Sequence, residues 1–188
     1  MPSNIIGILL AAGAGRRYGK DKLTERLPDG ESVAFRACRH LLAAVADVIV
    51  VTRPGSMLTT DLSRLGARVI EFDGADAGMG ASLARGVTET VDADGWIVAL
   101  ADMPFIRPAT IGRVAEELKQ AGGIVAPCHL GKRGHPVGFA RSFGAALRAL
   151  EGDRGARAIV DAHRNRLRLL AVDDPGILRD IDTPADLR

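Results

Sequence analysis

The stretch Ile5-Ile6-Gly7-Ile8-Leu9-Leu10-Ala11-Ala12-Gly13-Ala14-Gly15-Arg16-Arg17-Tyr18-Gly19-Lys20-Asp21-Lys22 decides how the rest of the chain is read. It opens with an apolar run that predicts a buried strand. Small residues and glycines then turn the chain, and Arg16, Arg17, Lys20 and Lys22 follow within seven positions. Glycine lets backbone N–H groups approach a ligand closely, and a row of such groups makes an anion-binding nest. A strand, a glycine turn and clustered cations together point to a polyphosphate site.

Two well-known phosphate loops fit this stretch poorly. A dinucleotide loop needs G-x-G-x-x-G and an acidic residue after the second strand. Here the spacing is Gly13-x-Gly15-x-x-x-Gly19, one residue too long, and the next apolar run, 48–52, ends in Arg53. A P-loop needs Ser or Thr after its Gly-Lys, whereas Gly19-Lys20 is followed by Asp21.

Outward from this loop, strand-like and helix-like segments alternate. Ser32 can cap a helix in which Val33, Ala34, Ala37, Cys38, Leu41 and Leu42 share one face. Strands are predicted at 48–52, 68–72, 96–101, 124–127 and 167–172. Helices are predicted at 58–65, from Gly78 onward, from Pro108 to Gly122, and near 143–150 and 156–163. A hairpin is expected near 134–139. The run Trp96-Ile97-Val98-Ala99-Leu100-Ala101 is almost wholly apolar, as strands covered on both faces are. This order predicts an α/β, doubly wound, mostly parallel sheet with right-handed crossovers, in a single domain spanning 1–188.

Composition narrows the partners. Of 188 residues, 47% are hydrophobic and 26% charged, as in ordinary soluble domains. A net charge of +2 with scattered arginines gives no nucleic-acid footprint, and 4% aromatics offer no base-stacking platform. Cys38 and Cys128 form no metal or disulfide pattern, which fits a reducing cytoplasm. The apolar run at the N-terminal end is too short to span a membrane and lacks a basic flank, so neither an anchor nor a signal peptide is expected.

In doubly wound sheets ligands bind beyond the carboxyl ends of the strands. Asp102 follows the fourth predicted strand at that edge, where a carboxylate can hold Mg²⁺ against substrate phosphates or, more simply, can cap a turn before Pro104. In Asp180-Ile181-Asp182-Thr183-Pro184, alternation puts Asp180 and Asp182 on one face. Asp182 is therefore a candidate second metal ligand, although the same residues also make a good helix start. Gly78-Met79-Gly80-Ala81-Ser82 offers free N–H groups and a hydroxyl to an anion or a base edge, or is a capped helix. Lys132-Arg133-Gly134-His135-Pro136-Val137 reads as a basic turn, with His135 a candidate contact to a second substrate's phosphate or part of a solvated hairpin tip.

The first loop matches the sugar-nucleotide-type nucleotidyltransferase pattern L-A-[AG]-G-x-[GS]-x-R-[MF]-G-x-x-K at all but one position, Tyr18. With Gly78-Met79-Gly80-Ala81-Ser82-Leu83, Leu100-Ala101-Asp102-Met103-Pro104, Gly134-His135-Pro136-Val137, Gly152-Asp153-Arg154-Gly155-Ala156-Arg157 and Asp180-Ile181-Asp182-Thr183-Pro184, the chain resembles the MobA-like nucleotidyltransferases. Within them it is most similar to the molybdenum cofactor cytidylyltransferases. The resemblance implies a nucleotide-diphospho-sugar transferase-like, Rossmann-like fold. It implies that the backbone of Leu10, Ala11, Ala12, Gly13 and Gly15, with Arg17 and Lys22, grips the nucleotide. Gly80 and Ser82 would contact base or ribose, and Asp102 would hold Mg²⁺. The implied reaction is CTP plus molybdenum cofactor giving the cytosine dinucleotide form and pyrophosphate, with a molybdoenzyme as recipient. Guanylyl-transferring relatives typically carry L-A-G-G, whereas this chain reads Leu10-Ala11-Ala12-Gly13.

Rival readings remain open at this point: transfer from GTP, a cytidylyltransferase for another phosphorylated small molecule, or a non-catalytic cofactor carrier. A different class is an NADP-dependent oxidoreductase, with Arg53 on the 2′-phosphate.

Overall fold

Strand β1 (Ile5–Ala11) is buried along its whole length and sits at the middle of the sheet. The structure is a computed structural model describing residues 4–13 and 21–188. Strands β2 (Asp47–Thr52) and β4 (Gly95–Leu100) flank β1 in parallel, and β3 (Arg68–Glu71) extends the sheet beyond β2. On the other side β7 (Val137–Ala140) runs antiparallel to β4, followed by β5 (Ile124–His129) and β8 (Leu167–Ala171), which is parallel to β5.

The apolar run that predicts β1 feeds two cores by alternation. Ile5, Leu9 and Ala11 face a layer holding α1 (Val33–Leu42), α2 (Leu58–Arg64) and α4 (Pro108–Ala121). Ile6, Ile8 and Leu10 face α3 (Met79–Thr88), α5 (Gly144–Arg148) and α6 (Arg157–Ala162). The sheet is thus wound on both faces in a single α/β domain, as the sequence predicts. Among the described residues no helix is long and apolar enough to cross a membrane.

Local signals account for several boundaries. Ser32 caps α1 by accepting from the Phe35 N–H, and Pro108 occupies the first turn of α4. Gly122 ends α4 in the left-handed conformation. The tryptophan of β4, Trp96, is fully buried in the α3-side core and donates from Nε1 to Thr90 Oγ1 at 2.9 Å. That bond satisfies the one polar atom of a large apolar side chain.

The hairpin lies elsewhere than expected. Its turn is Leu130-Gly131, and Lys132–Arg133 form β6, paired with Cys128 and His129 of β5. Both turn residues have positive φ, which a two-residue I′ loop requires. Residues 134–136 then lead into β7 through a cis His135–Pro136 peptide. Lys132 and Arg133 are therefore strand residues near the tip, while Gly134 is buried. The expected basic turn is a strand and a buried connection.

Candidate functional site

The carboxyl ends of β1 and β4 lie side by side, and their ladder continues past the strands with Ala101 N–H donating to Leu10 O at 3.1 Å. This places Asp102 one strand over from the Ala12-Gly13 turn. Leu10, Ala11 and Ala12 are buried, whereas Gly13 is exposed. Gly15 and Arg17 lie outside the described residues.

Asp182 reaches the same edge from far along the chain. Ile181 N–H donates to Asp102 O at 2.9 Å, and the Ile181 side chain is fully buried. Alternation then turns Asp180 and Asp182 outward, as the sequence predicts. The helix-start reading holds as well: Thr183 and Asp186 form a capping box on the 3-10 turn Pro184–Leu187. The box uses Asp186, which leaves the Asp182 carboxylate available for other contacts.

Lys22 joins the two carboxylates. Its Nζ lies 2.8 Å from Asp102 Oδ2 and 3.2 Å from Asp182 Oδ1. The lysine is held by its neighbours. Asp21 caps the 3-10 turn Lys22–Thr24 by accepting from Leu23 N–H, and Leu23 is buried beneath it. Burial lowers the affinity of Lys22 for its proton, but hydrogen bonds and charge from Asp102, then Asp182, outweigh it and raise its pKa above 10.5. Asp180 is shifted upward by burial first, and then by the charges of Asp182 and Asp102.

The other oxygen of Asp102, Oδ1, is buried with no hydrogen-bond partner among the described residues. Such an atom is costly unless a donor or cation supplies the missing contact. Two carboxylates from separate segments with one oxygen spare suit a hard, oxygen-seeking cation. Among the described residues no three metal-ligating side chains come together, so substrate oxygens and water would complete a coordination shell.

His135 stands close enough to Asp102 to feel its charge. Its Nδ1 is buried without a partner among the described residues. Burial lowers its pKa below 6.5, aided by Arg133 and opposed by Asp102, so the ring is neutral near pH 7. Its backbone is pinned by His135 N–H donating to Ile177 O at 3.0 Å. Gly134 makes that approach possible, since a Cβ there would lie 2.2 Å from Ile177 O.

The Gly78–Ser82 segment opens α3 at the same sheet edge, but packing accounts for its composition. A Cβ on Gly80 would lie 2.8 Å from the carbonyl oxygens of Glu151 and Gly152, and Gly78 takes φ +115° against Gly152 and Asp153. Ser82 is buried and its hydroxyl donates back to Gly78 O at 3.3 Å. The glycines thus seat α3 on the turn Gly152–Arg154.

Arg53 has a role that sequence reasoning assigned differently. Its Nε donates to Ala12 O at 2.7 Å and its Nη1 to Asp76 at 2.6 Å. It ties the end of β1 to the turn before α3. Asp174 was not singled out from sequence at all. Buried to 2% exposure, it accepts from Arg107 N–H, Thr110 Oγ1 and Gly176 N–H, fixing the start of α4 near the site's edge.

The family model for the MobA-like NTP transferase domain matches residues 7–167. The chain belongs to this family. It is 28% identical to purine catabolism protein PucB of Bacillus subtilis, covering 97% of this chain and 93% of the relative. It is 33% identical to a probable molybdenum cofactor guanylyltransferase of Opitutus terrae, over 65% of this chain and 60% of that one. A protein named nicotine blue oxidoreductase, from Paenarthrobacter nicotinovorans, is 25% identical over 95% of this chain and 92% of the relative. Among solved structures, Rv0371c from Mycobacterium tuberculosis superposes with a TM-score of 0.84 at 26% identity, covering 99% of this chain and 96% of that one. Its complex with manganese gives 0.78 at the same identity, over 98% and 96%.

Proposed function

We propose that this MobA-like chain transfers CMP from CTP to the terminal phosphate of molybdenum cofactor (molybdopterin), with Mg²⁺ and release of pyrophosphate. The observation that carries the reading is the Lys22–Asp102–Asp182 cluster at the mouth of β4, one strand from the Ala12-Gly13 turn. The relatives named guanylyltransferases support nucleotidyl transfer to this cofactor. Ala12, in place of the second glycine of L-A-G-G, supports CTP over GTP. Because Ala12 is buried and its carbonyl is held by Arg53, it acts through the set of the turn and not as a pocket wall. The free thiols of Cys38 and Cys128 fit a cytoplasmic protein that serves molybdoenzymes.

In this reading an oxygen of the cofactor's phosphate bonds to the α-phosphorus of CTP as the bond to the α–β bridging oxygen breaks. Pyrophosphate leaves with that electron pair. Asp102 and Asp182 would hold Mg²⁺, which neutralises charge on the phosphates. Lys22, with Arg17, contributes cationic contacts to the triphosphate, and the Ala12-Gly13 backbone fixes its position. The nucleophile is already an anion, so no side chain has to remove a proton from it. Neutral His135 offers a hydrogen bond to the second substrate.

The relative named an oxidoreductase motivates a second reading, NADP-dependent hydride transfer. The cation it needs, Arg53, is engaged by Ala12 and Asp76. The two readings separate in one experiment: purified protein with Mg²⁺ and molybdenum cofactor, offered CTP and GTP in competition, beside a fluorescence titration with NADPH. Pyrophosphate release favouring CTP supports the proposal. Equal incorporation of GTP removes the cytidylyl assignment, and saturable NADPH binding without any transfer removes the transferase reading.

A further inference from the structure

We infer that Lys22 is an internal counter-ion which the divalent cation must displace, so that metal and nucleotide bind cooperatively and metal alone binds poorly. The inference rests on the nucleotidyltransferase reading above and deepens it. Its basis is that one ammonium touches both Asp102 and Asp182, at 2.8 Å and 3.2 Å. A divalent ion held by Asp102 and Asp182 would compete with Nζ for the same two carboxylates, and like charges repel at that range.

Displacing Lys22 has a cost that its surroundings set. The turn around it is fixed by the Asp21 cap and by buried Leu23, so the backbone cannot withdraw freely and only the side chain can swing. The side chain is largely buried, at 16% exposure, and swinging away would leave its charge without the two carboxylates that neutralise it. Metal alone gives Lys22 no new partner. A triphosphate does: its oxygens can accept from the ammonium as the carboxylates pass to the metal. Each ligand then relieves the obstacle to the other, and the coupling is necessarily reciprocal. The unpartnered Asp102 Oδ1 fits this exchange, because Lys22 contacts Oδ2 and leaves Oδ1 unsatisfied.

The probe is Mn²⁺, followed by electron paramagnetic resonance or calorimetry, with and without a non-hydrolysable CTP analogue. For the unmodified protein, the analogue should tighten Mn²⁺ binding about tenfold or more, and Mn²⁺ should tighten analogue binding by the same factor. Lys22→Met should bind Mn²⁺ alone about tenfold tighter than the unmodified protein and lose the share of the coupling that the lysine carries. Thermal unfolding of the variant checks that it is folded, and because the triphosphate chelates Mn²⁺ itself, the affinity for Mn²⁺ alone is the reading that singles out Lys22. Lys22→Met binding Mn²⁺ alone no more tightly, or Mn²⁺ and analogue binding independently, overturns it. Asp102→Asn separates the two levels: if Mn²⁺ binding is unchanged in that variant, the metal assignment of the functional reading fails and the exchange fails with it.

Discussion

Two walls at the carboxyl edge of the sheet are built on opposite principles. Lys22, Asp102 and Asp182, from three distant stretches of chain, meet at one point with charges in contact and a carboxylate oxygen to spare. The opening of α3 contributes glycines and a serine whose side-chain space and hydroxyl are taken up by packing on Glu151 and Gly152 and by the bond to Gly78 O, while no side chain caps its first turn. Residue type alone therefore does not distinguish a binding wall from a structural one. What distinguishes them is the kind of capacity left over, a carboxylate oxygen on one side and uncapped backbone N–H groups on the other.

The largest effect that tests this contrast is on the charged wall. Asp102→Asn should keep the fold and lose about a hundredfold or more in turnover, the scale of a lost electrostatic contact to a reacting phosphate. Pyrophosphate release near that of the unmodified protein would make the charged wall merely structural. Next, Lys22→Met should weaken nucleotide binding by about tenfold, as expected for one charge-assisted hydrogen bond. A nucleotide titration with metal present checks it, and unchanged affinity would leave Lys22 as counter-ion only.

On the packed wall the order of damage reverses. Gly80→Ala drives a methyl into two backbone carbonyls, so the melting temperature should fall by the equivalent of about 1–3 kcal/mol. If it loses nucleotide affinity without losing stability, the glycine is a ligand contact and the contrast between the walls disappears. The smallest effect is at Ala12→Gly, where one methyl is at stake. The proposed preference for CTP should relax without inverting, within about 1–3 kcal/mol. Paired specificity constants for CTP and GTP would reveal it.

Much of this architecture is legible because it is encoded by local period and punctuation. The apolar runs of β1 and β4, the Ser32 cap and Pro108 each announce their element within a few residues. The outward pair Asp180 and Asp182 follows from alternation around Ile181. The hairpin was misplaced because β6 is too short to show any period and its turn begins with Leu130, a residue that carries no signal for positive φ. Asp174 looks like one more turn residue before a proline. Its partners Arg107 and Thr110 are more than 60 residues away, so only the fold identifies it as a buried acceptor. The packing role of Gly80 is hidden for the same reason, since the carbonyls it must avoid belong to a turn beyond α5. Likewise, nothing near Lys22 in sequence announces its pairing with Asp182, 160 positions later.

Trp96 gives the molecule a built-in optical reporter. It is the chain's single tryptophan, shielded from water, with its indole proton committed to Thr90. Asp102 lies six residues further along, roughly 20 Å at the rise of an extended strand. Its emission should therefore be blue-shifted and indifferent to nucleotide or metal arriving at the far end of β4. The same signal should shift to the red when the core beneath α3 and α5 opens. Intrinsic fluorescence would thus follow the collapse of one layer while remaining blind to occupancy of the cleft, so unfolding and ligation can be recorded separately in a single cuvette.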